Sequence, residues 1–201
     1  MASTAAAPAA FPDTASLVVD PFTPTLGLRV SFYARGGGGG AGVAEGAALG
    51  VATVALPPHL RLDGAPADAL YTVLLSDPDA PSAADPKFGE FVHWAVVNAS
   101  AADVQGTGDA LVAYHGASPG PGSGAHRYCL VVYAQPGRIA PDEARVGPTS
   151  GFPPRRCFKQ RAFAAKHALA PVAALTFLCE HDAAQAYMAA KIQNLPPPED
   201  A

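Results

Sequence analysis

Three short runs rich in β-branched and aromatic residues, at 70–75, 91–97 and 127–133, constrain this chain more than any other feature. They are joined by Gly- and Pro-rich connections, and no helical pattern alternates with them, which points away from a doubly wound sheet. The pattern predicts a mainly β fold of packed, antiparallel-rich sheets. Residues 26–33 read as a further strand with Leu26, Leu28, Val30 and Phe32 on one face, and 51–56 as a short one ended by Pro57 and Pro58. The last third changes character. Phe158, Ala162, Ala165 and Leu169 fall on one helical stripe that Pro171 closes, and Asp182 with Gln185 resembles a capping box opening a helix with Ala183, Ala186, Tyr187 and Ala190 on one face.

With 201 residues and 49% hydrophobic content, the chain suits one domain over 17–195. An Ala/Pro-rich arm at 1–16, a Gly-rich loop at 36–50 and a Pro-rich tail at 196–201 complete this reading. The glycine loop holds neither G-x-x-x-x-G-K-[ST] nor G-x-G-x-x-G opening a helix, so no cofactor is expected. Thirteen Lys and Arg against seventeen Asp and Glu leave no broad positive field, which argues against nucleic-acid partners. Cys129, Cys157 and Cys179 are odd in number and lack C-x-x-C spacing, so neither a disulfide framework nor a structural zinc site is indicated. A reducing compartment fits. No basic leader and no run of roughly 18 apolar residues is present, and a cytoplasmic monomer without a transmembrane segment is the expectation, with peripheral membrane contact open.

Asp77, Asp79 and Asp85 crowd nine positions of a chain that is only 15% charged. Asp77 lies where the 70–75 strand runs into a proline loop, while the period of two sets Phe91 and His93 on one strand face and His126 and Tyr128 on another. Three strand ends could therefore converge on one carboxylate, two imidazoles and a phenol, with Asp77 orienting an imidazole and keeping it cationic or in the right tautomer. Arg127 points to the face opposite His126 and pairs with Asp79 as a structural ion pair, and Asp85-Pro86 reads as a turn. Trp94 faces away from His93 as a core anchor. Phe152, Phe158 and Phe163 are expected to pack helices on sheets. His59, His115, His167 and His181 have no convergent partner in sequence and read as surface or packing residues. Asp77, His93 and His126 match the residue types of a two-His-one-carboxylate metal site without diagnostic spacing, and Gly122-Ser123-Gly124 is not a G-x-S-x-G elbow. No catalytic or metal-binding set is complete, and a non-enzymatic protein is expected.

D-P-D-A-P-S at 77–82, E-F-V-H-W-A-V-V-N at 90–98 and G-S-G-A-H-R-Y at 122–128 resemble, in order and spacing, the signature blocks of the phosphatidylethanolamine-binding proteins, also called Raf kinase inhibitor proteins. D-P-F-T-P-T-L-G-L-R-V-S-F at 20–32 and F-K-Q-R-A-F-A at 158–164 extend the similarity over about 20–192. The resemblance implies a two-sheet β-sandwich-like domain with short C-terminal helices and a small anion pocket. By motif the pocket residues would be Asp77, His93, Pro119, His126 and Tyr128, with Tyr187 the nearest candidate for a C-terminal tyrosine that closes it. It also implies a non-catalytic protein that binds phospholipid head groups or other phosphate-bearing anions and regulates a kinase, protease or other signalling protein. The expected mode places a phosphoryl group between His93 and His126, held by imidazole N–H donors and the backbone amides of 119–124. Two alternatives stay open: an interaction module whose pocket is only regulatory, and a metal-dependent hydrolase. Phe91 stands where flowering-regulator branches carry Tyr or His, so the branch is not assigned.

Overall fold

The computed structural model of the chain describes residues 12–32, 40 and 42–193. Its strands are β1 (Gly27–Ser31), β2 (Ala47–Ala48), β3 (His59–Asp63), β4 (Leu70–Asp77), β5 (Phe91–Ser100), β6 (Asp109–Val112), β7 (His126–Ala134) and β8 (Ala170–Cys179). Helices α1 (Val104–Thr107), α2 (Gln160–Lys166) and α3 (Ala183–Gln193) are short, as expected of a mainly β domain. β1 and β3 pair as a two-stranded antiparallel sheet, and the other six strands form one sheet in the order β2-β8-β7-β4-β5-β6. Every pairing in the large sheet is antiparallel except β2 with β8.

The central strands are apolar almost throughout because both faces of the large sheet are covered. On one face Tyr71, Val73, Leu75, Trp94 and Leu130 pack with Val30, Phe32, Leu60 and Leu62 of the small sheet and its flank. On the other, Leu74, Val92, Ala95 and Val131 meet Ala15, Val18, Phe163, Ala164 and Leu169. Burying a Leu or Phe side chain contributes about 1.5–3 kcal/mol, so these two layers dominate stability. The pairings also explain why the site forms where it does. β4 runs antiparallel to β5 and β7, so its C-terminal end lies beside the starts of both.

Several expectations need correction. Residues 51–56 make turns rather than a strand, and β3, β6 and β8 lie outside the strands read from sequence. Pro171 does not close a helix. It sits in β8 at a register shift opposite Val132 and Tyr133, where a missing N–H is tolerated. α2 buries Gln160, Phe163 and Ala164, leaving Ala162 and Ala165 outside. The apolar stripe misled because a polar residue holds the buried position: Gln160 Nε2 donates to the Tyr133 hydroxyl at 2.9 Å, and Ser76 donates to its Oε1. The cap of α3 is as expected, with Gln185 N donating to Asp182 Oδ1 at 2.8 Å, but Ala189 is its buried residue.

The 1–16 arm ends earlier than expected. Asp13–Leu17 form a 3₁₀ turn with Ala15 buried, and Arg161 donates to the carbonyls of Ser16 and Leu17. Within 36–50, residues 42–50 are anchored: Gly42 bridges Ser31, β2 pairs with Phe177 and Leu178, and the Glu45 carboxylate accepts Thr176 N at 2.8 Å. Residues 36–39 and 41 of that loop, Tyr33 at the end of the 26–33 strand, residues 1–11 and the 194–201 stretch with its tail lie outside the described residues.

Candidate functional site

Asp77 and His126 meet at the end of the large sheet, with His126 Nδ1 at 2.7 Å from Asp77 Oδ2. Asp77 Oδ1 accepts the backbone N–H of Asp79 at 2.8 Å, so both carboxylate oxygens are held. On the far side of the ring, Nε2 lies 3.0 Å from Ser123 Oγ. Ser123 has one hydroxyl proton, and its Oγ lies 2.8 Å from the Gly120 carbonyl, which can only accept. The contact with His126 is therefore an Nε2–H donated to serine, and the ring carries protons on both nitrogens. Burial works against that charge, but the hydrogen bond and field of Asp77 outweigh it and raise the His126 pKa. Burial raises Asp77 as well, opposed by His126. In this coupled pair the direction set by the hydrogen bonds is an imidazolium facing a carboxylate. Ser123, His126 and Asp77 thus have the spacing of a Ser-His-Asp relay, yet the proton runs from histidine to serine, opposite to what a general base needs.

His93 arrives differently. Leu75 pairs with Trp94 and Ser76 with Val92, so His93 is the extra residue of a β-bulge. The bulge breaks strict alternation: Trp94 is the expected core anchor, but it does not face away. It shares the buried cluster of Tyr128, against whose ring His93 packs edge-on at 5.1 Å. His93 Nδ1 lies 2.8 Å from the His115 carbonyl and must donate to it. Burial pushes the His93 pKa down to about 3, aided by the charges of His115 and Arg155. The ring is neutral, and Nε2 is a bare acceptor with no partner among the described residues. The expectation that both histidines donate to one anion is corrected accordingly. Only His126 presents an N–H.

Of the other expected site residues, Tyr128 is buried and stacks on Phe177 at 5.1 Å. Pro119 is buried in the approach loop, its carbonyl accepting His181 Nδ1 at 3.0 Å. Gly122 and Gly124 take positive φ of 74° and 77°, which the turn into β7 requires. Tyr187 is 62% exposed on α3. The Asp79–Arg127 pair is as expected, with Arg127 N and Nε each 2.8 Å from Asp79 Oδ2, and Asp85 sits in a turn on Ser82.

Sequence reasoning missed three contributors. His115 stacks on His93 at 5.9 Å, and burial lowers its pKa to about 4. Its link to His93 runs through a backbone carbonyl, for which no residue pattern exists. Arg155 is buried and donates to the carbonyls of Ala113 at 2.9 Å and of Val92 and His93 at 3.3 Å, tying the bulge in place. Phe152 is 49% exposed rather than packed under a helix, and its ring lies on Phe91 at 5.8 Å and His115 at 5.3 Å. Among the described residues no group of three or more His, Cys, Asp or Glu side chains is placed to hold a metal ion. None of their helices is long and apolar enough to cross a membrane.

Two sheets with few short helices, and a histidine pair at one end of the larger sheet, define a β-sandwich-like class of domain. The chain belongs to the phosphatidylethanolamine-binding protein family, whose profile matches residues 38–193. Protein MOTHER of FT and TFL1 homolog 2 of Oryza sativa subsp. japonica is 36% identical over 168 residues, covering 83% of this chain and 88% of that protein. Two solved structures show the same fold. One is carboxypeptidase Y inhibitor complexed with its cognate proteinase, with a TM-score of 0.67, 24% identity and 84% and 91% of the two chains covered. The other is the phosphatidylethanolamine-binding protein of Plasmodium vivax, with a TM-score of 0.58, 22% identity and 79% and 87% covered.

Proposed function

We propose that this protein is a non-catalytic, cytoplasmic binding protein that takes a phosphoryl head group at the His126 pocket and acts as a signalling regulator. The observation that carries the reading is the Asp77-held His126, a buried cation whose Nε2 lies 3.0 Å from the Ser123 hydroxyl at the rim. An anionic oxygen accepting the Nε2–H would gain a charge-assisted bond of about 1.5–3 kcal/mol, more than the neutral serine supplies. His93 adds a complementary demand. Its bare Nε2 would accept a hydrogen bond from the ligand, which an ethanolamine ammonium offers through its N–H groups. Few such bonds give weak to moderate affinity unless a protein surface adds more.

Phosphorylethanolamine titrated against the protein, with histidine ring signals followed by NMR, tests this. His126 is expected to shift and stay protonated, and His93 to shift while remaining neutral; unmoved His126 signals would sink the reading. Half-exposed Phe152 beside the rim supports a second reading, in which occupancy of the pocket controls a protein-binding face. His126→Ala then loses ligand while keeping its partner if the pocket is separate, and loses both if the two are coupled.

A further inference from the structure

We infer that the outward face of the small sheet is a second oxoanion site, separate from the His126 pocket and sharing no residue with it. β1 and β3 turn Leu28, Val30, Leu60 and Leu62 toward the core, which leaves the alternate positions outside. There Arg29 stands directly opposite Arg61, and Ser31 opposite His59. Like charges across a ladder destabilise it, so an Arg–Arg pair needs a reason.

Part of the reason is Asp63, two residues along the same face of β3. Arg61 Nε donates to one carboxylate oxygen at 3.0 Å, and Arg29 Nε lies 2.7 Å from the other, a buried oxygen that accepts no hydrogen bond among the described residues. One buried carboxylate cannot neutralise two guanidinium groups, and the set keeps a formal charge of +1. Asp63 is also the only ionic or hydrogen-bonded partner of either arginine among the described residues. Arg61 hydrogen-bonds Asp63 through Nε, and no terminal N–H of either arginine donates a hydrogen bond to a described residue. Their side chains are 47% and 66% exposed.

These groups border a depression of about 350 Å³, lined by Arg29, Ser31, His59 and Arg61 and walled by Gly40 and Gly42. A Cβ at Gly40 would fall 1.7 Å from the Phe32 carbonyl oxygen, so only glycine lets that wall approach β1. Two guanidinium forks over one small concavity, with a hydroxyl beside them, suit a tetrahedral dianion with several acceptor oxygens. The ligand class is a phosphate monoester, either a soluble phosphate compound or a lipid whose head group ends in one. A carboxylate offers too few oxygens to engage both forks and the serine.

The test uses the full chain. Inorganic phosphate titrated by NMR at low salt is expected to shift the backbone amides of 28–31 and 59–62 saturably, and to do so in His126→Ala as well. In Arg29→Gln/Arg61→Gln the affinity read at these amides should fall about tenfold or more. Arg61→Lys keeps the charge but loses the fork, and it should bind more weakly than the native chain while unfolding at the same urea concentration, which guards against reading misfolding as lost binding. Cosedimentation with phosphatidylcholine vesicles containing phosphatidic acid, abolished by the double substitution, assigns a lipid source. Amide shifts without cosedimentation assign a soluble one. Absence of saturable shifts in the native chain, or equal shifts in the double variant, overturns the site. Loss of the His126 response with these shifts intact would count against the pocket reading alone.

Discussion

His93 on the β5 wall and His126 on the β7 wall are each 3% exposed, yet their protons behave oppositely. Burial disfavours the charged form of both. The difference lies in the partner. His93 gives its one proton to a carbonyl and has cations at its back, His115 when protonated and Arg155 always, so nothing compensates a second proton. His126 faces a carboxylate that is itself fixed by a backbone N–H. Equal exposure with unequal partners yields an acceptor on one wall and a donor on the other. Under the proposed function, the ligand would meet the donor with an anionic group and the acceptor with a hydrogen-bond donor of its own.

The strongest way to break the contrast is Asp77→Asn. It keeps the shape and removes the compensating charge, so His126 should titrate below the ordinary value near 6.5 and come to resemble His93. The stability loss at pH 6 is expected to be about 3 kcal/mol, the low end for breaking a buried pair because histidine can release its proton. Urea unfolding and histidine NMR measure both. An unchanged His126 titration would show that Asp77 does not hold the charge.

The pH dependence of stability sharpens the same contrast, and the signs differ. His126 has its folded pKa raised, so its contribution is complete below about 6.5 and is lost as pH rises through the raised value. His93, with a folded value of about 3, binds fewer protons folded than unfolded, so stability falls as pH drops from about 6.5 toward 3. Between pH 7 and pH 5 this amounts to about 2 kcal/mol. Replacing His93 by Gln should flatten the acid limb by that amount in urea unfolding at the two pH values. Equal slopes for variant and native chain would mean that His93 is protonated in the fold.

The smallest effect is expected where sequence similarity suggested a closing tyrosine. Tyr187→Ala should change stability by less than about 1 kcal/mol and leave phosphorylethanolamine affinity unaltered, as for a side chain that is 62% exposed. A clear drop in affinity by calorimetry would return Tyr187 to the pocket.

The strands at 70–75, 91–97 and 127–133, the mainly β class and the family were legible in the sequence, because apolar β-branched runs bounded by breakers and the D-P-D and H-R-Y blocks are local signals. The same holds for Asp77, His93 and His126 as a set, and for the Asp79–Arg127 pair, which follow from strand periodicity. What local signals do not carry is pairing. β8 was hidden by Pro171, whose place in a strand is acceptable only at a register shift against β7. The bulge at His93, the carbonyl of His115 that takes its proton, and the carbonyls that receive Arg155 exist only once strands are in register. Local patterning located Asp77, His93 and His126, while His115 and Arg155 joined them only through the fold. Which imidazole holds a second proton is likewise a property of the fold, because a pKa in a buried site is set by the few atoms within hydrogen-bond reach, and those come from segments far apart in the chain.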